Sequence, residues 1–131
     1  MNKYLTLIFI LFSAKIAAAC DLRAGEYKIV TESEWGVNLT VVKNNKFTLT
    51  WWGYISGVPD STEYKSYSGE WQCIEGGYTF KYELETVSAE YRKSKDYPFG
   101  VYKDSKAIVF SGLPDNDKYL AGYTFWPKNW Y

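Results

Sequence analysis

Tyr67–Leu84 reads YSGEWQCIEGGYTFKYEL, and the fold follows from the register in which this stretch turns back on itself. Side chains in a strand alternate faces, so a hairpin must set apolar positions opposite apolar positions. Trp71 and Cys73 are odd-numbered, whereas Tyr78, Phe80, Tyr82 and Leu84 are even-numbered. Only a loop with an even number of residues can pair them. Glu75-Gly76 is such a loop, and its Gly supplies the positive φ that a tight hairpin needs. The inner pairs are then Cys73 with Tyr78, Trp71 with Phe80, Gly69 with Tyr82 and Tyr67 with Leu84. On the outer face Glu70 stands opposite Lys81, a cross-strand pair of opposite charge, and the Tyr82 ring is placed to cover the bare backbone of Gly69.

Working outward, Gly25–Thr31 (GEYKIVT) has the alternation of a first strand, with Tyr27 and Ile29 on one face. Val37–Lys43 and Phe47–Trp52 form the next hairpin. Their apolar positions (Val37, Leu39 and Val41; Phe47, Leu49 and Trp51) are all odd, so the loop needs an odd number of residues. The reading is Asn44-Asn45-Lys46, with Val41 opposite Leu49, Leu39 opposite Trp51, and Asn45 or Lys46 left-handed. Asn38, Thr40, Thr48 and Thr50 then face solvent.

Gly53–Lys65 reads as a break around the turn signal Pro59-Asp60. Ser88–Asp104 is the longest stretch without strand periodicity, with room for a short helical turn before Pro98 and Gly100. Lys106–Ser111 and Tyr119–Trp126 are the last two strands. No sustained apolar period of 3.6 occurs beyond residue 19. Seven to eight antiparallel strands with consecutive hairpin links point to an all-β, small up-and-down barrel, with a β-sandwich as the alternative.

Residues 1–19 read as a signal peptide: a positive start at Lys3, an apolar run over Tyr4–Ala14, and small residues at Ala17-Ala18-Ala19. The apolar run is too short to span a bilayer. Residues 20–131 then form one exported, periplasmic or secreted domain. Removing Lys3 and Lys15 from the 15 basic residues leaves 13 against 15 acidic ones, a formal charge of −2. Such a balance excludes a nucleic-acid partner, which requires a basic surface.

Cleavage after Ala19 makes Cys20 the first residue, and two readings follow. Lipidation of Cys20 would tether the chain to a bacterial envelope membrane, although Ala17 stands where a lipobox has Leu and Lys15 interrupts the apolar run. The other reading is a disulfide to Cys73, the only other cysteine. An even cysteine count in an exported chain favours the disulfide.

The chain has no histidine, which removes Ser-His-Asp and Cys-His catalysis and His-based zinc sites. No phosphate loop, calcium loop or dinucleotide fingerprint is present. Carboxylate pairs are the remaining catalytic hardware. Glu83 and Glu85 share a face near Glu70, but that face is the solvent side, where alternating Lys and Glu keep a barrel wet. The expectation is therefore a non-enzyme with no cofactor and no metal.

Aromatic residues make up 20% of the chain, and the ordinary use of such a ring is to fill a small β core or plug its ends. Adjacent Trp51 and Trp52 must point to opposite faces. If Trp51 is inside, Trp52 is outside or beneath a loop, with Tyr54 on its side. Trp52, Tyr54, Tyr97 and Phe99, set in or near loops beside charge, are the candidate binding residues.

Gly25-Glu26-Tyr27, Tyr67-Ser68-Gly69-Glu70-Trp71 and Tyr78-Thr79-Phe80 together give the chain a resemblance to small lipocalin-like barrels of bacterial exported proteins. There a Gly-x-Trp strand leads through a tight turn into an alternating strand; here Tyr27 stands where that signature has Trp. The resemblance implies the barrel fold and carries no ligand residue onto this chain. The functional expectation is an exported binding module whose partner is another envelope or secreted protein, of the inhibitor or immunity type. A carrier of a small apolar ligand and a glycan-binding module are the alternatives.

Overall fold

A computed structural model of the chain describes residues 20–30, 35–55, 57–58, 60–83, 85–93, 104–114 and 120–128. Eight strands follow one another: β1 (Gly25–Lys28), β2 (Trp35–Val42), β3 (Lys46–Tyr54), β4 (Thr62–Ile74), β5 (Gly77–Tyr82), β6 (Glu85–Lys93), β7 (Lys106–Phe110) and β8 (Thr124–Pro127). Each pairs antiparallel with its neighbours in sequence, and β8 returns to β1, closing an up-and-down barrel. Closure sets aside the sandwich, which would leave sheet edges open. It rests on the pairs Tyr27 with Pro127 and Lys28 with Trp126, extended by Lys128 N–H donating to Glu26 O at 2.9 Å.

The central hairpin has the register that parity demands. Cys73 pairs with Tyr78, Trp71 with Phe80 and Glu70 with Lys81, around a Glu75-Gly76 turn in which Gly76 has φ 81°. One detail differs: the ring over Gly69 is that of Phe47, its partner on β3, not that of Tyr82. Gly69 lies between two neighbouring strands, so its bare face was open to either side. Leu84 falls outside the described residues.

The β2–β3 hairpin needs the same kind of correction. Its loop has three residues, as parity requires, but they are Lys43-Asn44-Asn45, and the register is two residues from the expected one. Val41 faces Phe47, Leu39 faces Leu49 and Val37 faces Trp51. The left-handed residue is Asn45, φ 58°. Parity fixes odd against even; it does not distinguish registers two residues apart.

Two expected irregular stretches are also strand. Residues 53–54 and 62–65 of the supposed break extend the β3–β4 ladder, through Gly53 with Glu63 and Tyr54 with Thr62. Ser88–Lys93 continues β6 in place of a helical turn, because Val87, Ala89 and Tyr91 point inward while Ser88, Glu90 and Arg92 are exposed. The first strand, expected to reach Thr31, ends at Lys28, with Ile29 and Val30 past its end; Thr31 lies outside the described residues. The last strand, expected over Tyr119–Trp126, runs over Thr124–Pro127 after a turn at Ala121–Gly122; Tyr119 lies outside the described residues, as does the 1–19 segment.

Inside, the described positions are filled. Phe47, Leu39, Leu49, Phe80, Ile108, Leu120 and Phe125 are almost completely buried. A chain of edge-to-face rings crosses the barrel: Phe47 to Phe80 at 5.2 Å, Phe80 to Phe110 at 4.9 Å, Phe110 to Phe125 at 5.5 Å. Each such pair adds about 0.5–1.5 kcal/mol beyond its area burial. The expected polar face is present too: Asn38 and Thr48 are exposed, and Thr50 Oγ1 lies 3.3 Å from Ser66 Oγ.

Candidate functional sites at the two ends of the barrel

Because the interior is packed, ligand-facing chemistry collects at the ends. One end holds the chain entry at Gly25, the turns at 43–45 and 75–76, and the exit at Pro127. Residues 20–24 cross this end as a strap. Cys20 is bonded to Cys73, with Cα atoms 5.7 Å apart, so the disulfide reading of the two cysteines is the one realised. A lipid thioether would need the same sulfur. The bond is consistent with an oxidising, extracytoplasmic location.

Tyr78 anchors the strap from below. Its hydroxyl accepts from the backbone N–H groups of Asp21 (2.8 Å) and Leu22 (2.9 Å) and donates to Asp21 Oδ1 (2.8 Å). Lys106 Nζ donates to the other Asp21 oxygen at 2.5 Å. The hydrogen bond from Lys106 is the largest influence on the Asp21 carboxyl and holds its pKa below the ordinary range. Burial pushes the Tyr78 hydroxyl upward, with the bond to Asp21 adding to it. Farther along, Tyr27 Oη donates to Arg23 O at 2.6 Å; its burial raises the phenol strongly, and the nearby Arg23 charge opposes this.

Beside the strap lies a cavity of about 470 Å³, bounded by Arg23, Tyr27, Tyr91, Lys93, Asp104 and Lys106 among others. The Lys106 ammonium sits over the Tyr91 ring, 5.4 Å from its centroid and within the ~6 Å reach of a cation–π contact. Sequence reasoning missed this cup. Its residues come from the strap, β1, β6 and the run into β7, and only closure brings them together; Asp21 and Arg23 next to Cys20 were the available signal.

The opposite end carries the aromatic candidates. Trp51 and Trp52 take opposite faces. Trp51 lies over Gly53, where an added Cβ would come 2.7 Å from its ring, and Lys65 Nζ is 5.3 Å from its centroid. Trp52 points outward and covers Gly36, where an added Cβ would meet its Nε1 at 2.5 Å. Both rings are half-buried, and each depends on a glycine that leaves room for it.

Tyr54 meets Trp52 edge to face at 6.2 Å. Tyr64 is paired directly across from Trp52 on β4 and is 69% exposed, with Tyr54 at 55%; Ile55 and Val58 in the adjoining loop are exposed too. The structure thus brings Trp52 and Tyr54 together. Tyr97 and Phe99 lie outside the described residues. Tyr64 was missed because its segment was read as a break; once β4 starts at Thr62, its place beside Trp52 follows from register alone.

Glu70 is exposed and ion-paired with Lys46, whose hydrogen bond holds its pKa low, opposite to what a general acid requires. Glu83 sits in the β5–β6 turn with φ 52°. Among the described residues no group of three or more Cys, Asp or Glu side chains is placed to hold a metal ion. Compared with known proteins, the chain matches no family model, no curated protein and no solved structure, so its functional reading rests on the geometry of these two ends.

Proposed function

We propose that the protein is an exported, lipocalin-like binding module that docks another envelope or secreted protein, of inhibitor or immunity type, through the aromatic end of the barrel. The observation that carries this reading is the contiguous patch of Trp52, Tyr54 and Tyr64, continued by exposed Ile55 and Val58. Rings of this kind offer large contact area at low conformational cost and dominate the centres of protein interfaces. Thr62 and Ser66, on the same face of β4 as Tyr64, and Thr50 beside Ser66 supply a polar rim. The filled interior favours docking over the carriage of an apolar ligand, because a carrier needs an open apolar cavity of several hundred Å³.

Retention of envelope proteins by immobilised wild type and by a Tyr54→Ala/Tyr64→Ala variant tests the reading. Both tyrosines are exposed, so the variant keeps the fold. A discrete partner held by the wild type and lost from the variant is expected. Equal retention by both baits, or none by either, overturns it.

A further inference from the structure

The cup beside the strap is chemically unlike the aromatic end. Three cations border it: Arg23, Lys93 and Lys106. The Lys106 charge is offset by Asp21, and Glu26, a second carboxylate on the border, is taken by Lys128 at 3.2 Å. Among the described residues no ion pair engages Arg23 or Lys93. Arg23 is exposed and stands on the border of the cup, tied to its floor through the Tyr27 hydroxyl, which donates to Arg23 O. Asp104 and Ser105 on the bordering wall offer an acceptor and a hydroxyl.

Two uncommitted cations suit one carboxylate, since a guanidinium can grip both of its oxygens. A carboxylate acceptor and a serine hydroxyl across the cup suit ligand hydroxyls. A volume of about 470 Å³ lies within the range of small-molecule sites. We propose that this cup binds a small hydroxylated carboxylate of the sugar-acid class, with Arg23 and Lys93 holding the carboxylate and Asp104 and Ser105 meeting the hydroxyls. The site is independent of the aromatic end, and either can fail without the other.

The test is a titration of the ¹⁵N-labelled, disulfide-bonded protein with glucuronate, at constant ionic strength, against glucose and inorganic phosphate. Saturable shifts at Tyr91, Lys93 and Ser105 are expected, with glucose and phosphate each binding at least about tenfold more weakly, the equivalent of one charge-assisted contact. Arg23→Gln and Lys93→Gln should each weaken glucuronate by about tenfold. Lys46→Gln, an exposed lysine at the same end of the barrel but outside the cup, should leave it unchanged. Absence of saturable shifts overturns the proposal. So does glucose or phosphate binding as tightly as glucuronate, or a loss in Lys46→Gln equal to that in the cup variants.

Discussion

Removing the disulfide should cost this barrel a large share of its stability, and the size of the loss follows from where the bond is placed. Cys20 and Cys73 are 53 residues apart, so the closed loop contains β1, β2, β3 and nearly all of β4. On the chain-entropy account, a loop of this length removes enough freedom from the unfolded chain to stabilise the fold by about 4 kcal/mol. Small domains have only about 5–15 kcal/mol in all. Urea unfolding of a Cys20→Ser/Cys73→Ser variant should therefore show a loss near 4 kcal/mol. A second variant separates mechanism from magnitude. Tyr78→Phe strips the strap of the hydroxyl that bonds Asp21 and Leu22, at about 1–2 kcal/mol. If the disulfide acts on the unfolded chain, the strap stays docked without it and the two losses add within about 0.5 kcal/mol. A loss below about 1 kcal/mol in the cysteine-free variant refutes the entropic reasoning. So does disappearance of the Tyr78→Phe penalty in that background, which would mean the bond works by pinning the strap.

Two further outcomes can be measured on the same protein. Gly69→Ala would set a Cβ 2.2 Å from Lys81 O and 2.6 Å from the Phe47 ring, so the strands must part; a loss above about 3 kcal/mol is expected. Gly76→Ala meets open space and bears only the strain of φ 81°, about 1 kcal/mol; similar losses at the two sites would contradict this. For Asp21 the folded pKa lies below the ordinary 3.8, so its ionised form stabilises the fold above that pH, and the contribution fades as pH falls through the lower folded value. The side chain is 52% exposed, which limits the gain to under about 1 kcal/mol. Asp21→Asn should be measurably less stable than wild type at pH 6, and the gap should start to narrow near pH 3.8 and close below the lower folded pKa; a gap that does not narrow in acid refutes the ion-pair account.

The architecture was legible wherever local pattern and partner were the same fact. Trp71, Cys73, Tyr78 and Phe80 carry their alternation across a two-residue turn, so parity alone sets their register. Where several registers share one parity, as in the Val41–Phe47 hairpin, the alternation is silent on which is used, and the turn chemistry of Asn45 decides. β6 was hidden because its inward residues, Val87, Ala89 and Tyr91, include a small one, while the exposed Glu90, Arg92 and Lys93 look like a loop. The aromatic end was half legible: Trp52 and Tyr54 lie two apart on one strand face, whereas Tyr64 joins them only through pairing. The cup was illegible for the same reason in stronger form, since its cations come from segments about 70 residues apart in sequence and meet only when β8 closes on β1.

Closure also explains why the two ends differ. Among the described residues the barrel interior is packed by Phe47, Phe80, Phe110 and Phe125, and polar side chains such as Asn38 and Thr48 stand on its outer face. Its ends are what is left, and each is shaped by what crosses it. At one end the Cys20–Cys73 strap brings Asp21 and Arg23 over the barrel, and Lys93, Asp104 and Lys106 meet them from β6 and β7; the result is charged and concave. At the other, β3 and β4 run past the core as a longer ribbon, and the half-buried Trp52 and exposed Tyr54 and Tyr64 stand on its outer face. A concave charged cup suits a small polar ligand, whereas exposed rings on a ribbon suit contact with another surface. Trp52 marks the boundary between the roles of core and contact. Its indole fills the space left by Gly36, so a Gly36→Ala change should displace the ring and, on the docking proposal, reduce retention of the partner although Trp52, Tyr54 and Tyr64 are all unchanged in identity.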